Sequence, residues 1–489
     1  MKLCLVNHEY RYELEKLLRI FFPFEKIEFS NENQISEFCA VTELELSELK
    51  AKAKLYAFGK EFNSEKSIDC NSLDFKKEYE LKLALALFDC LTTATDYVPE
   101  WGILTGVRPA KLFSRFKSSM GTEKAEKYFS EFFKVSDSKI SLCKETLRSE
   151  EKIISSSGSK SYSLYISIPF CPTRCSYCSF VSHSVDKAKH LIPQYVELLC
   201  KELETTALIS KENGLKLETV YIGGGTPTAI SAEEIEKIMK TVSENFDIAN
   251  IREYTVEAGR PDTVTEEKLK VIKENGATRI SINPQTMNDS VLEAIGRRHT
   301  SAQTVEAFNI ARKVGFSNIN MDLIAGLPQD TLESFKTTVE KVIVLNPESV
   351  TVHSLSMKRS SALNKNGDIP EENMGKTASL MVNYARTRLS QEGIVPYYMY
   401  RQSKTVGNLE NVGYAKENFE SLYNVFIMDE THTILACGAS AVTKLREPDG
   451  DYIERIFNFK YPYEYINGFD EILKRKEGVR RFYSEYGKS

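Results

Sequence analysis

The chain has 489 residues, 42% of them hydrophobic and 27% charged, with a net charge of −5. That length predicts two or three domains with a sizeable core, and the lack of a basic excess argues against non-specific nucleic-acid binding. The N-terminus turns charged at His8, Glu9 and Arg11 before a signal-peptide core forms, and the longest apolar run, Leu81 to Leu91, is broken by Lys82 and Asp89, so a soluble, cytoplasmic protein without a membrane span is expected.

Residues 1–155 are expected to form an N-terminal accessory domain, α/β or mostly helical, with no catalytic signature. Ile27–Phe29 and Glu37–Val41 suit strands, and Tyr79, Leu83, Leu87 and Leu91 have helical spacing. Trp101–Ala110 reads as a loop entering a helix, with Pro109 in its first turn. Ser155–Ser159 is small and polar, like a linker.

Residues 160–374 alternate strand and helix. Six strands are predicted: Leu164–Ile168, Thr219–Ile222, Glu253–Val256, Arg279–Ile282, Ile319–Ile324 and Ser349–His353. Amphipathic segments such as Ala232–Glu244 and Thr265–Asn275 separate them. The pattern predicts an α/β fold with a parallel sheet, a partial (β/α)6 barrel whose chemistry sits at the carboxyl ends of the strands. Residues 375–489 are expected to be a C-terminal α+β domain. It opens with a helix, Thr377–Glu392, followed by an aromatic-rich loop, Pro396–Gln402, and a strand at Tyr423–Met428.

The first predicted strand runs into Cys171, Cys175 and Cys178, spaced C-x3-C-x2-C. Three thiolates on one loop can hold three irons of a [4Fe–4S] cluster and leave the fourth open to a small molecule such as S-adenosylmethionine (SAM). A disulfide is disfavoured because nothing marks the chain as secreted. A zinc site completed by His183 stays open on spacing alone. The other seven of the ten cysteines are scattered and read as small buried hydrophobes.

Gly223-Gly-Gly-Thr-Pro-Thr228 follows the second strand. By itself it is a turn; behind a three-cysteine loop it suits a clamp whose free amides bond a ligand. No dinucleotide or P-loop spacing occurs. Glu257, Gln285 and Asp322 stand at or beside strand ends, where a polar side chain is costly unless it finds a partner. Each fits either a ligand's hydroxyl or ammonium groups or a carboxyl bonded to neighbouring backbone. Arg297 fits a ligand carboxylate or a solvated helix end equally well.

Together these residues resemble the oxygen-independent coproporphyrinogen III oxidase family of radical SAM enzymes, most closely its HemZ-type branch of coproporphyrinogen dehydrogenases. The pieces that carry the resemblance are Tyr165–Cys178, Gly223–Thr228, Asp322–Pro328, His353–Arg359 and Asn408–Tyr414, with Gly102–Leu112 as a less specific match. The resemblance implies Cys171, Cys175 and Cys178 as ligands of one [4Fe–4S] cluster, and SAM as second cofactor. It places Tyr165, Tyr177, Gly224, Gly225, Thr226, Glu257, Gln285, Arg297, Asp322 and Ser356 around one or two SAM molecules, with Tyr165, Glu257 and Asp322 as the catalytic candidates. A reducing donor such as flavodoxin or ferredoxin is implied. So is a 5′-deoxyadenosyl radical that takes a hydrogen atom from a propionate side chain, after which loss of CO2 and one electron leaves a vinyl group; done twice, this turns coproporphyrinogen III into protoporphyrinogen IX. The tetrapyrrole's carboxylates call for cations, and Lys358, Arg359 and Arg401 are the candidates. Tyr397, Tyr398 and Tyr400 suit either packing against a macrocycle or core packing.

Two positions depart from the best-studied branch: Phe180 where that branch has a further cysteine, and Ala325 where a tyrosine is usual. Phe180 is shared with haem chaperones of the same fold, which are one rival reading. A radical SAM methyltransferase that opens haem is another.

Overall fold

The computed structural model describes residues 1–23, 25–31, 35–70, 74–178, 182–356, 374–402 and 404–487. Phe180, Lys358 and Arg359 lie outside these residues. Among the described residues no helix is long and apolar enough to cross a membrane. The chain divides into two compact units: Met1–Lys144 with Glu371–Ser379 and Tyr400–Glu410, and Glu145–Pro370 with Leu380–Met399 and Asn411–Ser489.

The first unit holds a five-stranded sheet. Lys2–Val6 pairs in parallel with Glu28–Ser30 and Cys39–Glu45, and antiparallel hairpins continue through Lys50–Ala57 and Lys60–Ser67. Three of these strands are not foreseen from the sequence. Lys50–Ala57 alternates lysine with small apolar residues, so Ala51, Ala53, Leu55 and Ala57 enter the core while the lysine heads point away. Helix Phe75–Thr95 begins where Asp74 accepts a hydrogen bond from the Lys77 amide, and it buries Leu83, Leu87 and Leu91 as their spacing predicts.

Charge is also buried in this unit. The Glu410 carboxylate accepts from Lys139 Nζ at 2.7 Å and from Trp101 Nε1 at 2.6 Å. Lys139 also pairs with Glu100 at 3.3 Å. Burial alone would raise the Glu410 pKa, but the Lys139 charge and these hydrogen bonds hold the carboxyl below its ordinary range. Arg401, expected on a loop with its charge toward substrate, is instead a buried strand residue here. It donates to the Leu104 carbonyl at 2.7 Å and lies over the Trp101 ring.

The second unit contains the six expected parallel strands: β1 (Ser161–Ile168), β2 (Lys216–Gly224), β3 (Glu253–Glu257), β4 (Arg279–Ser281), β5 (Ile319–Ala325) and β6 (Ser349–Ser354). They pair in sequence order, with Leu164 opposite Val220, Thr219 opposite Glu253, Thr255 opposite Arg279, Ile280 opposite Ile319 and Asn320 opposite Ser349. The sheet stays open. Thr433–Cys437 adds in parallel beside β1, and Glu410–Ala415 adds antiparallel beside β6. This is a partial (β/α)6 barrel.

Crossover helices begin at strong caps. Ser231 with Glu234 and Thr300 with Gln303 form capping boxes. Strands covered on both faces read as near-continuous apolar runs, as in β1, where every residue except Tyr165 is buried.

Three local expectations give way. Tyr423–Met428 lies in a helix, Leu422–Asp429, because Ser421 Oγ and the Glu253 carboxylate accept from its first amides; a short unbroken apolar run carries no period to separate helix from strand. Pro396–Gln402 lies mostly in a strand, Val395–Arg401, whose Tyr398 ring fills the space beside Gly413. The Ser155–Ser159 segment is no loose linker: Ser157 donates to Glu218 at 2.8 Å and Arg252 donates to Ser156 at 2.8 Å.

Candidate functional site

Beyond β1 the chain pairs Phe170 and Cys171 with His183 and Ser184. The cysteine loop is then stapled to the end of the helix Asp289–Ala294, where the Ser176 amide donates to Ile295 O at 3.0 Å. All three thiols are free of disulfides; Cys175 is buried and the others are half-buried. Two of the sulfurs receive donors. Thr226 Oγ1 donates to Cys171 Sγ at 3.5 Å, and Arg260 Nη1 to Cys175 Sγ at 3.7 Å. Burial pushes the Cys171 thiol pKa up, and the Thr226 hydroxyl opposes that shift.

His183 packs its ring against Tyr461 and Tyr463. Among the described residues no three His, Cys, Asp or Glu side chains gather to hold a single metal ion. A cluster needs only one thiolate per iron, so its ligands need not converge on one point.

The triple glycine ends β2. Its amides are not free as expected: Gly225 N donates to Ile168 O and Thr226 N to Phe170 O, at 2.8 and 2.7 Å. The glycines matter sterically. Gly224 has φ +106°, and a Cβ there would meet Ser167 Oγ at 2.9 Å and Tyr165 Oη at 3.3 Å; at Gly225 it would meet Phe170 O at 2.6 Å.

Inside the strand ends, Tyr165 on β1, Tyr221 on β2 and Tyr423 stack, the last two with centroids 4.4 Å apart. Tyr221 Oη donates to Glu257 Oε1 at 2.5 Å. Burial pushes the Glu257 pKa up to about 7; the Asp322 charge adds to the rise and the Tyr221 hydrogen bond resists it. Asp322 goes the other way. Burial would raise it, but His353, whose Nε2 lies 3.8 Å from Oδ2, and Asn320, which donates to Oδ1 at 2.7 Å, hold it below the ordinary range.

Gln285 has φ +69°, costly for a residue with a side chain, and it bridges to Leu323 of β5. Its Oε1 is buried without a hydrogen-bond partner. Arg297 is buried rather than solvated. Its Nη1 donates to Asn283 O at 2.7 Å and its Nε and Nη2 to the Tyr177 hydroxyl. Ser356 is half-buried just past β6. Tyr397 and Tyr398 are buried in the core.

The structure thus gathers Tyr165 within β1, Glu257 at the end of β3, Gln285 beyond β4 and Asp322 midway along β5, and Tyr177 with Arg297 at the cysteine loop. Tyr221, Asn320, His353, Tyr423 and Arg260 belong to the same shell and were not singled out from sequence. Asn320 did carry a signal: it lies two residues before Asp322, on the same strand face.

Residues 165–342 match the family model of the radical SAM superfamily. The chain is 38% identical to the oxygen-independent coproporphyrinogen-III oxidase-like protein HemZ of Bacillus subtilis, over 84% of this chain and 83% of that protein. It is 30% identical to the heme chaperone HemW of the same organism, over 67% of this chain and 87% of that one. Among solved structures, the coproporphyrinogen III oxidase HemN of Escherichia coli superposes with a TM-score of 0.52 at 23% identity, covering 65% of this chain and 71% of that one. That likeness speaks to the fold.

Proposed function

From the premise that the chain belongs to the radical SAM family of oxygen-independent coproporphyrinogen III oxidase-like proteins, we propose that it is a cytoplasmic enzyme that decarboxylates coproporphyrinogen III to protoporphyrinogen IX, drawing electrons from a protein donor. The family implies a [4Fe–4S] cluster and SAM, and the residues present fit both. Three cysteines outside any disulfide share one loop, donors already point at the Cys171 and Cys175 sulfurs, and the buried Gln285 Oε1 lacks a partner beside β5. When bound, the two cofactors supply the one-electron chemistry that removes a hydrogen atom from a substrate carbon.

The chain's own residues prepare the place. Cys171, Cys175 and Cys178 offer three thiolates. Asp322 keeps its charge and suits a ligand's ammonium or hydroxyl groups. Glu257, with its pKa near neutrality, can hold or release a proton at its carboxyl oxygens. The stacked rings of Tyr165, Tyr221 and Tyr423 form an aromatic face beside the Glu257 carboxyl. The observation that carries the reading is the pairing of a three-thiol loop with two barrel-strand carboxylates of opposite pKa shift. Lys358 and Arg359 lie outside the described residues and Arg401 is buried in the other unit, so the reading rests on none of them. The functional division we propose is an accessory segment at 1–155, a barrel at 160–374 and a C-terminal segment at 375–489.

Similarity to HemW favours one rival, a haem chaperone. Anaerobic reconstitution followed by product analysis separates the two. Deoxyadenosine formation that rises with added coproporphyrinogen III, together with a vinyl product, is expected. An unchanged rate, no vinyl product and tight haem binding would replace the oxidase with the chaperone.

A further inference from the structure

Arg260 leaves β3 three residues beyond Glu257 and opens a short turn at Pro261–Thr263. Its side chain is buried, although nothing in the sequence marks it as other than a loop arginine. The Asp262 carboxylate grips one edge of the guanidinium, accepting from Nε at 2.9 Å and from Nη2 at 2.8 Å. Because the fork is planar and rigid, this grip fixes the direction of the remaining nitrogen. Nη1 points into the cysteine loop, donating to Thr173 Oγ1 at 3.1 Å and to Cys175 Sγ at 3.7 Å. The Asp262 carboxylate, the buried guanidinium and the buried Cys175 sulfur are therefore linked in series. Asp262 stays charged in this series: burial works against that charge, and the Arg260 hydrogen bonds and charge prevail.

We infer that Arg260 is a positioning residue for the Cys175 sulfur, held in register by Asp262, and that its donated hydrogen bond sets the reduction potential of the cluster which that sulfur ligates. The inference rests on the reading that the three cysteines hold a cluster. Hydrogen bonds to ligand sulfurs and nearby charge are principal levers on cluster potential. A cation donating to the sulfur favours the more negative, reduced state, so the potential lies higher with Arg260 than without it. Lysine keeps the charge but lacks the fork, so it restores part of the effect.

The test uses the full chain, reconstituted anaerobically, in wild-type, Arg260→Gln, Arg260→Lys and Asp262→Asn forms. Iron and sulfide content, melting temperature and midpoint potential are read for each. Expected are near-wild-type iron and sulfide in all variants, a clear negative shift of the midpoint for Arg260→Gln, and smaller negative shifts for Arg260→Lys and Asp262→Asn. A merely structural arginine would lower the melting temperature while the loaded fraction kept the wild-type potential, and that result overturns the inference. If Arg260→Gln does not fold, the other two variants decide by the same measure. A wild-type protein that takes up no cluster would sink the reading of the cysteines themselves, an outcome distinct from an unshifted potential in a loaded variant.

Discussion

Two carboxylates, the buried Glu410 of the first unit and the half-buried Glu257 of the second, differ in how far their partners offset desolvation. Glu410 has a donor on each oxygen, a lysine and an indole, and its pKa is held low. Glu257 has the Tyr221 hydroxyl and the Gly224 backbone N–H but no cation paired with it and a second carboxylate nearby, and burial pushes its pKa to about 7. A buried charge with its partners complete has no capacity left for a ligand. One left short of partners is tolerated where something else completes it.

The sharpest way to break this comparison is to unpair the complete charge. Lys139→Met strands the Glu410 carboxylate in the core, and denaturant unfolding should show a loss of roughly 3–5 kcal/mol. A loss near zero would remove the contrast. Next come Glu257→Gln and Asp322→Asn, each expected to weaken SAM binding by roughly 1–3 kcal/mol without unfolding the protein. If Asp322→Asn instead unfolds the protein while surviving molecules bind SAM normally, Asp322 belongs with Glu410.

A pH series sharpens the same point. The Glu257 pKa in the folded chain, about 7, exceeds its ordinary value of 4.5. The folded state therefore binds more protons than the unfolded state between these values, and stability falls as pH rises from about 4.5 toward 7. Glu410 and Asp322 have lowered values, so their contribution is present above the ordinary carboxyl range and lost in acid. Melting curves of Glu257→Gln should lack the decline toward pH 7 and keep the acid loss; an unchanged slope would remove Glu257 as its source. The smallest effect is expected of Thr226→Val. It deletes a neutral hydroxyl donor to Cys171, and a stability cost of about 0.5–1.5 kcal/mol should appear without loss of iron.

The six barrel strands were legible to within a few residues, since parallel strands covered on both faces leave short β-branched runs between helices with clear caps. The cysteine loop, Glu257 and Asp322 stood out because polar or metal-binding residues within or at the ends of barrel strands are expensive without a purpose. Less of the first unit could be read. Lys50–Ala57 hides a buried face behind alanine, which carries little strand signal. Arg260 was invisible because its importance comes from a bidentate grip and a sulfur across the loop, and neither has a sequence period. The glycine run suggests free amides, but those of Gly225 and Thr226 are already bonded to Ile168 and Phe170, a pairing that no sequence period announces.

The indole-to-carboxylate bond in the first unit joins residues 309 positions apart. During synthesis, N-terminal segments usually fold as they emerge, yet this unit lacks the acceptor for its buried indole, and one of the two acceptors for its buried lysine, until Glu410 leaves the ribosome. Its completion is thus timed to late translation, after most of the barrel has been made. Trp101 is the only tryptophan in the chain, so its emission is a built-in clock. In nascent chains halted before residue 400 it should report a wet indole, shifting to a buried one once the chain is long enough for Glu410 to have left the ribosome.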